Sequence, residues 1–192
     1  MILACKRERL DPMWLELSQG GEISVIEQTT GGEAKVTFSC ETAALHLKHL
    51  DNQPPIAWVR NRKCADAAIL VEEGGGIRLH VVELKSKLTR KEWLSAKLQF
   101  EGMIANVIAA LAIMEGPKPT SVVCHISYTS AVLGPGEVAD PILLKMKVGG
   151  GAVVGDLSDW EEEKLSLFGF SGVPLRKIPR DPATGQASST LA

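Results

Sequence analysis

The sequence predicts a mixed α/β (α+β) domain, and three observations predict it. Two β-branched and apolar runs, residues 67–71 and 77–84, flank the polar, glycine-rich break Glu72-Glu73-Gly74-Gly75-Gly76 and read as a β-hairpin. A long helical pattern begins at Thr89, directly after the second run. A further strand-like run, residues 121–128, follows that helix. Strands interleaved with a long helix call for a layered sheet-and-helix core.

In chain order, residues 1–20 carry Trp14, Leu15 and Leu17, which suit a short element packed on the core. Ile23-Ser24-Val25-Ile26 and Lys35-Val36-Thr37-Phe38 flank Thr29-Thr30-Gly31-Gly32 and predict an N-terminal hairpin with a Gly-Gly turn. Residues 41–50 predict a short helix, with Ala44, Leu45, Leu47 and Leu50 apolar. Asn52-Gln53-Pro54-Pro55 ends it, because proline cannot continue a helix and restricts the residue before it. Residues 56–59 then predict a strand.

Thr89-Arg90-Lys91-Glu92 fits a capping box at the start of the long helix, and Gly116-Pro117 closes it. Its second half is apolar nearly all round, which marks a buried helix that crosses the sheet. The longest apolar run, residues 103–114, contains Asn106 and is shorter than the roughly 20 residues of a membrane span. Residues 142–148 predict another strand, and Ser158-Asp159-Trp160-Glu161 opens a predicted helix reaching about residue 168. Residues 173–178 predict an edge strand. Residues 181–192 are small and polar and predict a disordered tail, leaving residues 1–180 as a single domain.

A chain of 192 residues suits one domain with a sizeable core. Its net charge of −2 gives no global basic field, so nucleic-acid binding would need local patches. Cys5, Cys40, Cys64 and Cys124 lie far apart with no CxxC, which argues against a disulfide framework or structural zinc and for reduced thiols. His46, His49, His80 and His125 have no zinc partner set. The glycine-rich residues 149–155 lack the Gly-Lys-Ser/Thr ending of a phosphate loop and read as a loop. The first residues have the wrong order of charges for a secretory signal, so a cytoplasmic location is expected.

Side chains alternate faces along a strand, so Glu83 and Lys85 share one face and Leu84 points to the other. Asp66 stands just ahead of the paired strand. Two carboxylates and a lysine so arranged can hold a metal ion and a reacting phosphate.

At Asp66 and Glu83-Leu84-Lys85, the chain resembles the PD-(D/E)xK phosphodiesterase superfamily of metal-dependent nucleases, with Ala65 in place of the family's proline. The resemblance covers roughly residues 41–129. It implies a restriction-endonuclease-like α-β-β-β-α-β core, a mixed central sheet flanked by helices, to which this chain adds an N-terminal hairpin and C-terminal strand and helix. It implies Mg²⁺, for which Mn²⁺ substitutes, held by Asp66, Glu83 and the Leu84 carbonyl, with Glu41 as a further candidate ligand. Lys85 would orient the attacking water or stabilise developing charge. Gln99, on the following helix, sits where many members keep a polar site residue. Arg60, Arg62, Lys63, Lys87, Arg90 and Lys91 flank the motif and suit phosphate-backbone contacts. Arg176-Lys177 and Arg180 form a third basic patch without an assigned place. The expected activity is nuclease cleavage, with DNA as the expected partner and no membrane. The alternative is a catalytically silent nuclease-fold subunit of a larger complex. A homodimer is open under either reading.

Overall fold

The structure, a computed structural model, describes residues 5–29, 32–48, 63–133 and 157–191. Ten strands and two helices are described: β1 Leu15–Ser18, β2 Gly21–Thr29, β3 Gly32–Cys40, β4 Ala44–Lys48, β5 Ala67–Glu73, β6 Gly76–Thr89, α1 Arg90–Ile113, β7 Ser121–Val132, α2 Ser158–Glu161, β8 Lys164–Leu167, β9 Phe170–Pro179 and β10 Gln186–Thr190. The chain is α+β. A seven-stranded sheet has the order β1-β4-β5-β6-β7-β9-β8, and a smaller sheet the order β10-β3-β2. The large sheet is mixed: β4, β5 and β6 run antiparallel to their neighbours in that series, whereas β6, β7 and β9 are parallel. Parallel neighbours need a crossover, and α1 supplies it between β6 and β7.

The large sheet is covered on both sides, which explains why β5 is apolar without alternation. Ala68 and Leu70 of β5, and Leu79 and Val81 of β6, join Trp93, Ala96, Phe100, Ile104 and Val107 of α1 in one core. Ala67, Ile69 and Val71, with Val82 and Leu84, turn the other way and join Val25, Val36 and Phe38 of the small sheet in a second core. The molecule is therefore layered as helix, large sheet, small sheet.

The two predicted hairpins form. Residues β5 and β6 pair out to Glu73 opposite Gly76, leaving Gly74 and Gly75 as a two-residue loop with φ of 57° and 79°. Two consecutive positive φ values match the twist of the flanking strands and favour glycine. Thr89 caps α1 by accepting from the Glu92 amide at 3.3 Å. Helix α1 is long and apolar enough to cross a membrane by length and composition, but half of its most apolar window is buried against the rest of the molecule.

Four expectations are corrected. Residues 44–48 are β4 instead of part of a helix: Leu45 and Leu47 enter the helix-side core and Ala44 the other, a run buried on both faces that short helical spacing imitates. Helix α2 is a single turn. Beyond it Glu163 adopts φ 54°, and Leu165 and Leu167 then alternate with exposed residues as β8. Strand β9 lies inside the sheet, between β7 and β8, and not at its edge. Residues 186–190 are β10, paired in parallel with β3, and not part of a disordered tail. The strands expected at residues 56–59 and 142–148 lie outside the described residues. Of the expected α-β-β-β-α-β series, β5, β6, α1 and β7 occur in that order; β4 stands where the opening helix was expected, and the strand expected next lies outside the described residues.

Candidate functional site

Strand pairing brings the motif together. Ala67 faces Val82 across the hairpin, so Asp66, one step outward, meets the level of Glu83. The Asp66 carboxylate accepts from the Leu84 amide at 2.6 Å through Oδ2. By strand alternation Asp66, Glu83 and Lys85 share the face that carries Ala68, Leu70 and Val81, beneath α1. Leu84 enters the core between the two sheets. Glu83 is 0% exposed. Lys85 Nζ lies 2.5 Å from Glu83 Oε1 as an ion pair, yet among the described residues neither Glu83 oxygen accepts a well-aligned hydrogen bond.

The electrostatics of such a pair follow from its burial. Loss of solvent, reinforced by the Asp66 charge, raises the Glu83 pKa well above the usual carboxylate range, and Lys85 only partly opposes this. For Lys85, burial is the largest influence and lowers its pKa. Glu83, then Asp66 and Glu92, outweigh that, and the net shift is upward. The group thus keeps a charged lysine beside a carboxylate poised to take a proton, which is the arrangement acid–base chemistry uses.

Helix α1 fixes the approach to Asp66. Lys63 Nζ donates to Ser95 Oγ at 3.0 Å, Gln99 Nε2 to the Cys64 carbonyl at 3.3 Å, and Asn106 Nδ2 to Cys64 Sγ at 3.0 Å. Three side chains of one helix face therefore hold residues 63–64, directly ahead of Asp66. Gln99 also has its Oε1 buried and without a hydrogen-bond partner among the described residues. Gln99 bonds the segment leading into Asp66, and no bond from it to Lys85 is found among the described residues.

Other candidates fare differently. Glu41 lies by Val71, Glu72 and Glu73, at the turn end of the β5–β6 hairpin and away from Asp66, so the structure does not bring it to the metal candidates. Arg60 and Arg62 lie outside the described residues. Lys87, Arg90 and Lys91 follow Lys85 at the end of β6 and the start of α1, and Lys87 and Lys91 are exposed. Lys177 is drawn away from any free patch: its Nζ lies 3.1 Å from Glu163 and 4.3 Å from the centre of the Trp160 ring.

Sequence reasoning missed two features. Arg180 reaches from the end of β9 across β7 and donates to the Lys85 carbonyl at 2.9 Å. Nothing in the linear sequence signals this, because it depends on β7 lying between β6 and β9. His80 and His125, which read as isolated residues, hydrogen-bond each other at 2.9 Å between the sheets. Both are buried, and burial lowers their pKa values to about 4 and about 3.

A divalent ion fits the residues present in one respect. Beside a second carboxylate, Glu83 Oε1 meets only the Lys85 ammonium and Oε2 has no hydrogen-bond partner among the described residues, and Mg²⁺ takes one or two carboxylates and completes its shell with water and phosphate oxygens. No group of three or more His, Cys, Asp or Glu side chains suited to a metal occurs among the described residues. Compared with family models, with curated proteins and with solved structures, the chain matches none.

Proposed function

We propose that this chain is a Mg²⁺-dependent nuclease of the PD-(D/E)xK kind, acting on DNA. The observation that carries the reading is the Glu83 carboxylate: fully buried, short of hydrogen bonds, and set with Asp66 and Lys85 on one face of the hairpin. A buried charge of this kind costs several kcal/mol, which a purely structural surface ion pair does not incur. Asp66, Glu83 and the Leu84 carbonyl would hold the ion, which supplies polarisation of the phosphate and activation of water when bound. Lys85 then holds a positive charge where the phosphorane develops negative charge. Gln99 holds the segment that leads into Asp66. Lys87, Arg90 and Lys91 give a phosphate backbone its cations at the same end of β6.

The complete burial of Glu83 supports a second reading, a catalytically silent nuclease-fold subunit that binds nucleic acid or a partner chain. Cleavage of DNA in Mg²⁺ or Mn²⁺, with and without EDTA, separates the two. Under the enzyme reading Glu83→Gln lowers the cleavage rate by roughly 100-fold or more while the fold is retained. Cleavage that is equal in wild type and Glu83→Gln sinks the nuclease reading.

A further inference from the structure

A second polar cavity lies between the two sheets, apart from the carboxylate site. It has a volume of about 360 Å³ and is lined by Ser86 and Lys87 of β6, Thr129 of β7, Arg180, the turn at residues 182–185, and the start of β3. Arg180 is its buried element, only 3% exposed. Its guanidinium donates to the Lys85 carbonyl at 2.9 Å, the Ser127 carbonyl at 3.3 Å and Thr129 Oγ1 at 3.5 Å, all neutral acceptors. Its Nε donates to nothing among the described residues. Among the described residues no carboxylate forms an ion pair with it, and the charges of Glu27 and Asp66 offset its burial only in part. A buried cation without a counter-ion is costly, and a cavity beside it is where an anion would relieve that cost.

We propose that this cavity binds a phosphoryl group. Its donors come from two walls: Ser86, Lys87, Thr129 and Arg180 on the large sheet, and Thr184 on the turn. Thr129 Oγ1 accepts from Arg180 and Thr184 Oγ1 accepts from the Gln186 amide at 3.4 Å, so each hydroxyl hydrogen points elsewhere. Donors spread around a cavity match the several oxygens of a tetrahedral anion better than the two coplanar oxygens of a carboxylate. Glu33 is the acid on the wall; it is exposed, and water screens its charge. The volume accommodates the phosphate and sugar of one nucleotide, so a strand terminus and free phosphate are both sources of the same group.

The test is equilibrium binding to the full chain, in EDTA and at matched ionic strength. The ligands are inorganic phosphate and two identical short DNA strands, one ending in a 5′-phosphate and one in a 5′-hydroxyl. Wild type binds phosphate, and Arg180→Gln weakens that binding about tenfold or more. Because Arg180 also ties β6 to β7, Ala183→Phe provides a second variant. It fills the cavity from the exposed turn, leaves Arg180 in place, and abolishes phosphate binding without lowering the melting temperature of the free protein. Preference for the 5′-phosphate strand identifies a strand terminus as the source, and phosphate binding without that preference identifies free phosphate. No phosphate binding by wild type, or equal binding in Ala183→Phe, overturns the proposal. The carboxylate site is tested separately, since a failure of Glu83→Gln to alter cleavage leaves phosphate binding in EDTA unaffected.

Discussion

Strand β6 buries a polar side chain on each of its faces, and the two are handled in opposite ways. Beneath α1, Glu83 is a carboxylate with Lys85 beside it and no aligned hydrogen bond to either oxygen. Between the sheets, His80 is an imidazole that shares a 2.9 Å hydrogen bond with His125, and the Phe38 ring packs against the second imidazole in a T-shaped arrangement. The sheet-side pair solves its burial by staying neutral, as its lowered pKa values require. The helix-side group stays charged at Lys85 and keeps carboxylate capacity unused. Neutral polar groups that bond each other serve packing, and the pair tolerates a His125 Nδ1 that has no partner among the described residues because neither ring is charged. Charged and unsatisfied ones store a cost that a ligand can offset.

The sharpest way to break this contrast is to remove Lys85. Lys85→Met leaves Glu83 buried without its cation, and at neutral pH the chain should lose about 3–5 kcal/mol of stability. The double variant Lys85→Met with Glu83→Gln should recover most of that loss, as read by denaturant unfolding. A loss that persists in the double variant would show that packing of the lysine stem, and not the charge pair, is what matters.

Titration should separate the faces by sign. The folded pKa values of His80 and His125 lie below the usual imidazole value of about 6.5, so the unfolded chain binds more protons and stability falls as pH drops below about 6.5 towards 4. At pH 5 an imidazole held at about 4 costs on the order of 2 kcal/mol. Glu83 behaves in reverse: its raised pKa means the folded chain binds the extra proton, so its contribution is lost as pH rises above about 4.5. Replacing His80 with Phe and His125 with Leu should shrink the acid limb of the stability curve, leaving the part due to His46, whose pKa is also lowered to about 4. Glu83→Gln should flatten the opposing limb instead. Unchanged slopes in both variants would remove the contrast.

The smallest effect is expected at Gln99. Gln99→Met deletes its bond to the Cys64 carbonyl and should cost about 1 kcal/mol. Under the nuclease reading cleavage falls further than this stability change accounts for, because Asp66 loses its support. A proportional loss of both would make Gln99 purely structural.

Much of the candidate site was legible because it is local. Asp66, Glu83 and Lys85 lie on one hairpin whose turn, Gly74-Gly75, fixes the register, and a period of two then places Glu83 and Lys85 on one face. Thr89 and Gly116-Pro117 likewise bound α1 by local capping chemistry. Short apolar runs were not legible in this way. Residues 44–47 bear the spacing of a helix and the burial of a strand covered on both sides, and only the neighbouring β1 and β5 decide between them. Residues 164–167 read as the continuation of a helix because the break at Glu163 is a positive φ on a residue that does not advertise it.

What the sequence by itself determined, then, is what adjacent residues enforce on each other: the β5–β6 hairpin, the cap and end of α1, and the shared face of Glu83 and Lys85. What only the tertiary structure decided is what requires strands distant in the chain to become neighbours. The His80–His125 bond joins residues 45 positions apart, and the Arg180 contact to Lys85 spans 95. Strand β10 is the clearest case. Gln186-Ala187-Ser188-Ser189-Thr190 is too small and polar to bury a face of its own, and it becomes a strand because β3 offers it an unpaired edge of amides and carbonyls.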